Sequence, residues 1–182
     1  MQQVRGFTLL ELVVTVVILG IIAAYAAPSF DRFIRHTRIA SSTSKIHNAL
    51  NYGRSEAVNQ GANVTVCSST DDQHCNGDKY WQNGWIVFLD LDTLGTFDGD
   101  ATVNPCIAGN DCVLRVWDAL PSGAVLLETH GERFVTFTEQ GAVLGAKNFS
   151  LELKMPQCGI DELRALSLNA IGRPEVSTGD CP

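Results

Sequence analysis

Between Arg5 and Asp31 the chain carries a single charge, Glu11, in an otherwise uncharged, mostly apolar run from Phe7 to Ala27. At about 1.5 Å rise per residue, a helix of this length matches the hydrocarbon thickness of a bilayer. Residues 7–28 are therefore predicted to form a transmembrane helix. A carboxylate one turn inside such a helix costs a few kcal/mol unless it finds a cation, and no Lys or Arg lies in the span. The alternative is a glutamate that reaches out to the membrane surface.

A secretory signal peptide places its small-residue cleavage site after the apolar core. Here the order is inverted, because the junction Arg5-Gly6 precedes the run. Cleavage there would discard residues 1–6 and keep the hydrophobic helix. Gly20, Ala23, Ala24, Ala26 and Ala27 are small enough to let helices pack closely in lipid. Pro28 is predicted to kink or loosen the helix. Beyond it, Phe30, Phe33 and Ile34, then Ile39, Ile46, Leu50, Gly53 and Ala57, predict an amphipathic continuation over 29–60 with one apolar face. Arg54 and Glu56 fall near its end, where a charged pair or a cap would suit.

From 61 to 182 the pattern changes to short β-branched and aromatic runs: 63–67, 85–90, 113–117, 124–128, 133–138, 149–154 and 163–170. Gly, Asn, Asp and Pro clusters separate them, as in antiparallel strands. Asn83-Gly84 is a ready turn, and Trp81, Trp85 and Phe88 are expected in the core or its rim. The fold class is α+β, with seven or so strands in two small sheets beside a long helix.

All six cysteines, Cys67, Cys75, Cys106, Cys112, Cys158 and Cys181, follow the apolar run. An even number in a small domain points to bridges and an oxidising compartment. The positive-inside rule conflicts with this, because Arg32, Arg35 and Arg38 outnumber Arg5 at the membrane. The cysteines argue instead for an oxidising compartment such as a bacterial periplasm. Six cysteines permit fifteen pairings, and sequence does not choose among them. Shortest loops would join Cys67 with Cys75 and Cys106 with Cys112, leaving Cys158 with Cys181. A metal site at Cys67, His74 and Cys75 is the lesser reading, since no CxxC pair supports it.

Enzyme chemistry finds no constellation. His36, His47, His74 and His130 are scattered, no nucleophile elbow is present, and neither a Walker nor a dinucleotide fingerprint occurs. The segment 90–100 holds four carboxylates but misses the EF-hand spacing, so it reads as a solvated loop, as does Asp71-Asp72. No cofactor and no metal is expected.

The run Arg5-Gly6-Phe7-Thr8-Leu9-Leu10-Glu11 closely resembles the type IV prepilin leader. That resemblance implies a prepilin peptidase cutting between Gly6 and Phe7, methylation of Phe7, and pairing of Glu11 with the freed amine of Phe7 on an adjacent subunit. The stretches Tyr52–Val58, Trp81–Phe88 and Leu166–Arg173 resemble the FimT/FimU and GspH group of minor pilins and pseudopilins. The Cys158–Cys181 loop is similar to the carboxyl-terminal disulfide loop of many pilins.

The resemblance implies a minor pilin of a type IV pilus tip or initiation complex, or alternatively an H-type pseudopilin of a type II secretion system. Its partners would be other minor pilins, the major pilin in a helical filament, and an inner-membrane assembly platform. The cysteines and the leader resemblance together outweigh the positive-inside rule, and the expected place is a single pass of the inner membrane with a periplasmic carboxyl-terminal domain, then the pilus or pseudopilus.

DNA binding is the rival from another class. Some FimT proteins carry a Gly-Arg-x-Arg motif for it, whereas this chain reads Gly172-Arg173-Pro174-Glu175. A net charge of −7, or −8 once Arg5 is removed, opposes phosphate binding. Arg173, Lys154 and Arg164, with Lys147, are the residues that could form a patch, and nucleic acid is not expected as a principal partner.

Overall fold

The computed structural model describes residues 8–92, 95–97 and 110–181, and the side chains among them outside 25–29. The chain divides into two compact units, Met1–Thr37 and Arg38–Pro182. One helix, α1 (Leu9–Gln60), supplies residues to both.

In the first unit Thr8 caps α1. Its Oγ1 accepts the Glu11 N–H at 3.3 Å, and its carbonyl accepts the Leu12 N–H at 3.3 Å. These bonds satisfy donors that an uncapped helix start would leave open. The helical assignment continues through Pro28 without interruption. Phe30 and Phe33, expected on the packed apolar face, remain 62% and 65% exposed. No described side chain covers them.

In the second unit the last turns of α1 bury Ile39, Ile46, Ala49, Leu50 and Ala57, the stripe expected from helical spacing. Gly53 lies in this stripe because β1 and β5 come close there. A Cβ at that position would stand 2.8 Å from Val66 Cγ2 and 3.4 Å from the Phe137 ring.

The strands are β1 (Val64–Ser68), β2 (Gly84–Leu89), β3 (Cys112–Asp118), β4 (Val125–Glu128), β5 (Phe134–Phe137), β6 (Phe149–Lys154), β7 (Leu163–Leu168) and β8 (Pro174–Gly179). They form two antiparallel four-stranded sheets, ordered β3-β2-β1-β5 and β4-β6-β7-β8. β8 is the strand that sequence pattern misses. Five of its residues are polar, Pro or Gly, and Val176 is its single large apolar side chain. It lies at a sheet edge, where no second apolar face is needed and Pro at the first position costs no ladder bond.

Alternation along the first sheet serves two cores. Val64, Val66, Trp85 and Val87 join the α1 stripe and the inner residues of the second sheet, among them Leu126, Leu151 and Leu166. Cys67, Ile86 and Phe88 face the other way, onto Phe97. Both faces of β1 and β2 are therefore buried. Trp81, Trp85 and Phe88 are all fully buried, with Trp81 edge-on to Phe149 at 5.4 Å and Phe88 edge-on to Phe97 at 5.3 Å.

The reading of the segment 90–100 as a solvated loop is corrected at Asp90. Asp90 is buried, not solvated: its Oδ2 accepts from Thr65 Oγ1 and from the Gly95 N–H at 2.8 Å. Thr65 Oγ1 also lies 2.6 Å from Thr136 Oγ1, which joins β1, β5 and the end of β2 in one polar link. A buried carboxylate needs internal donors, and the Thr65 hydroxyl and the Gly95 N–H supply them. Residues 93, 94 and 98–100 of that loop lie outside the described residues. Asp71 is exposed but not idle. Its carboxylate accepts from the N–H groups of Gln73 and His74, from His74 Nδ1 at 2.8 Å and from Ser69 Oγ. Those bonds, led by the Gln73 N–H and then the His74 side chain, hold its pKa far below the usual carboxylate range.

Candidate assembly site

The functional candidate of the first unit is the outer surface of α1. Every large apolar side chain from Leu9 to Ile22 is solvent-facing, from 48% exposed at Val14 to 82% at Leu9. Single exposed Leu or Val side chains are ordinary, but a contiguous sheath around a helix marks a surface that another apolar phase or another helix covers. Glu11 is the one charge on the described part of this surface before Asp31. It sits in the first turn, where the positive end of the helix dipole favours a carboxylate. The Thr8-x-x-Glu11 spacing carries the capping signal, which a reading of Glu11 purely as a membrane acid passes over.

Among the described residues no helix is long and apolar enough to cross a membrane. The expected 7–28 span includes residues outside that description, as do Gly6 and Phe7, the expected cleavage pair.

In the second unit Cys67 is bonded to Cys75, with Cα atoms 5.6 Å apart, and Cys158 to Cys181, with Cα atoms 5.8 Å apart. The first bridge commits both thiols that a Cys67–His74–Cys75 metal site would need. Cys112 is also disulfide-bonded, while Cys106 lies outside the described residues.

The basic residues weighed for nucleic acid are not brought together. Arg164 opens β7 opposite Leu153, whereas Arg173 follows its far end, where Leu168 pairs with Pro174. At about 3.3 Å per residue the two are separated by the length of the strand. Lys154 projects from the other face of the sheet, since side chains alternate. Arg164 donates to the carbonyls of Asp161 and Leu163, and Lys147 is paired with Glu132 at 2.6 Å.

Arg54, expected near a charged pair, instead donates from Nε to the carbonyls of Gly141 at 3.0 Å and Ile171 at 3.3 Å. Nothing in the helical spacing reveals partners 87 and 117 residues away.

The sequence profile described as "Type II transport protein GspH" matches residues 42–172, and that described as "Prokaryotic N-terminal methylation motif" matches residues 1–27. The chain belongs to the GspH family. The GspH match spans the stretch from the packed part of α1 to the β7–β8 turn.

Among curated relatives, the type IV major fimbrial protein FimA of Dichelobacter nodosus is 28% identical over 117 residues, covering 62% of this chain and 65% of that protein. A fimbrial protein of Pseudomonas aeruginosa is 31% identical over 72 residues, covering 40% and 46%. The chain thus spans less than two thirds of the length of the curated relatives it matches. The crystal structure of the type IV minor pilin FimU of Pseudomonas aeruginosa superposes with a TM-score of 0.58 at 22% identity, covering 80% of this chain and 92% of that one. At that identity the likeness is one of fold. Family and fold are those of structural pilin-like subunits rather than of enzymes.

Proposed function

We propose that this GspH-family chain is a minor pilin: a subunit cut between Gly6 and Phe7 by a prepilin peptidase, held in the inner membrane by residues 7–28, and drawn by an assembly platform into a pilus tip or initiation complex. The observation that carries the reading is the apolar sheath of α1 from Leu9 to Ile22, exposed throughout and bearing one acid in its first turn. Such a surface is stable in lipid and, once extracted, only against other helices of the same kind. Glu11 then needs a cation, and the freed amine of Phe7 on an adjacent subunit supplies one. The domain from residue 38 onward selects neighbouring pilins, and Cys158–Cys181 anchors its last residues.

Gene deletion coupled to two assays tests the reading. Surface piliation falls if the chain is a minor pilin. The GspH profile favours a second reading, an H-type pseudopilin of a secretion system, for which piliation stays normal while exoprotein release is lost. Glu11→Ala leaves cleavage intact and impairs incorporation into filaments; normal incorporation of that variant overturns the role given to the acid.

A further inference from the structure

Outside the α1 sheath, an open groove of about 580 Å³ runs between residues 45–55 of α1 and β3, an edge strand of the first sheet. Lys45, Asn48 and Tyr52 stand at helical spacings of three and four, on one stripe beside the buried Ile46 and Leu50. Arg115 and Trp117 line the opposite wall, two residues apart and hence on the same side of β3. The Arg115 guanidinium lies 4.7 Å from the Trp117 ring and 5.5 Å from that of Tyr52. The two rings meet edge-on at 5.7 Å.

This stacking holds the cation in place while its N–H groups, which lie in its own plane, stay available. Among the described residues neither Arg115 nor Lys45 makes an ion pair or a hydrogen bond. Glu56, the nearest acid along the helix, accepts from Gln60 Nε2 at 3.3 Å. Burial, then the charge of Glu56, raises the Tyr52 pKa against the opposing effect of Arg115, so the phenol remains a neutral donor at the groove.

We infer that this groove receives a carboxylate-bearing segment of a neighbouring pilin-like subunit of different sequence, with Arg115 and Lys45 as its two cations and Asn48 at the rim. The inference rests on the proposal that the chain is an assembling subunit. Charge supports the choice of occupant. A chain of net −7 repels acidic partners, and copies of itself, over most of its surface, so two cations without anionic partners among the described residues define where an acidic segment can dock and in which register. Nucleic acid fits less well, because a base needs a free aromatic face to stack on and the guanidinium lies over these rings.

The test uses the full chain in detergent micelles. Trp81 and Trp85 are fully buried, so changes in emission on ligand addition report on Trp117. Poly-L-glutamate, inorganic phosphate and an oligothymidylate are titrated separately at low salt. Saturable binding of poly-L-glutamate that weakens with salt, and by about fivefold in Arg115→Gln, supports the inference. Phosphate or the oligothymidylate binding as tightly, or an unchanged affinity in Arg115→Gln, overturns it. A photo-crosslinker at Asn48 in cells gives the second arm. A crosslink to an acidic stretch of a different subunit supports the groove, whereas a crosslink to a second copy, or none while the chain is present in filaments, overturns it. If the chain is absent from filaments altogether, it is the subunit reading that fails, and the micelle titration still decides the groove.

Discussion

Arg54 Nε donates to the carbonyl oxygen of Gly141 at 3.0 Å, across 87 residues of sequence. The same nitrogen reaches the carbonyl of Ile171 at 3.3 Å. One side chain of α1 therefore ties the turn after β5 to the turn between β7 and β8, one from each sheet. Replacing it strands two carbonyls. Arg54→Ala is expected to lower the unfolding free energy by about 1–2 kcal/mol, measured by chemical denaturation of the purified chain, while Arg54→Lys recovers only part of the loss because a single ammonium reproduces the geometry poorly.

Gly172 completes that contact. Its φ of +75° falls in the left-handed region, and a Cβ there would collide with the Gly141 carbonyl. Gly172→Ala is expected to cost about 2–4 kcal/mol. Gly61→Ala, also at positive φ but with open space around it, is expected to cost about 1 kcal/mol. The difference between the two melting curves isolates the steric part.

Glu128 is buried, yet its carboxylate accepts from the N–H groups of His130 and Glu132 at 2.9 Å each and of Ser150 at 3.3 Å. It closes the β4–β5 connection and fastens it to β6. Glu128→Ala leaves those donors without an acceptor and is expected to cost about 3 kcal/mol. Hydrogen exchange at the amides of His130 and Glu132 should accelerate before global unfolding does.

Asp71 predicts a pH response. Its folded pKa lies below the unfolded value of 3.8, so its contribution to folding is complete above that value and is lost as pH falls through the depressed folded one. Acidification below the ordinary carboxylate range should therefore loosen the turn from Ser69 to Cys75 in the wild type. In Asp71→Asn the same turn should be looser at neutral pH and insensitive to acid. Amide exchange at Gln73 and His74, followed between pH 2 and about 6, near the range of ordinary carboxylate titration, separates the two.

The Cys158–Cys181 bridge closes a loop of 23 residues that contains β7 and β8. Replacing both cysteines by Ser is expected to destabilise the domain by about 3 kcal/mol. The loss should appear first as exchange in β8, which has a partner strand on one side only.

Much of this architecture is legible in residue order because it depends on local period. Ile39, Ile46, Leu50 and Ala57 recur at helical spacing and face one core. The β-branched and aromatic runs at Val64–Ser68 and Gly84–Leu89 mark strands whatever they pair with. The run from Leu9 to Ala24 stands out because apolarity without period needs no knowledge of neighbours. β8 escapes the pattern, since an edge strand buried on one side at one residue carries almost no hydrophobic signal. Phe30 and Phe33 mislead for the opposite reason: the period continues while the described packing begins at Ile39.

Residue order alone thus determined the exposed apolar helix, its solitary acid and the change to strands near residue 61, all properties of short windows and of side-chain chemistry. Tertiary structure decided which distant groups meet: Arg54 with two turns, Asp90 inside a polar link, Glu128 under a loop, and Arg115 stacked over Tyr52 and Trp117. Each of those contacts joins residues from different elements, and its energy depends on a distance that only the closed chain defines.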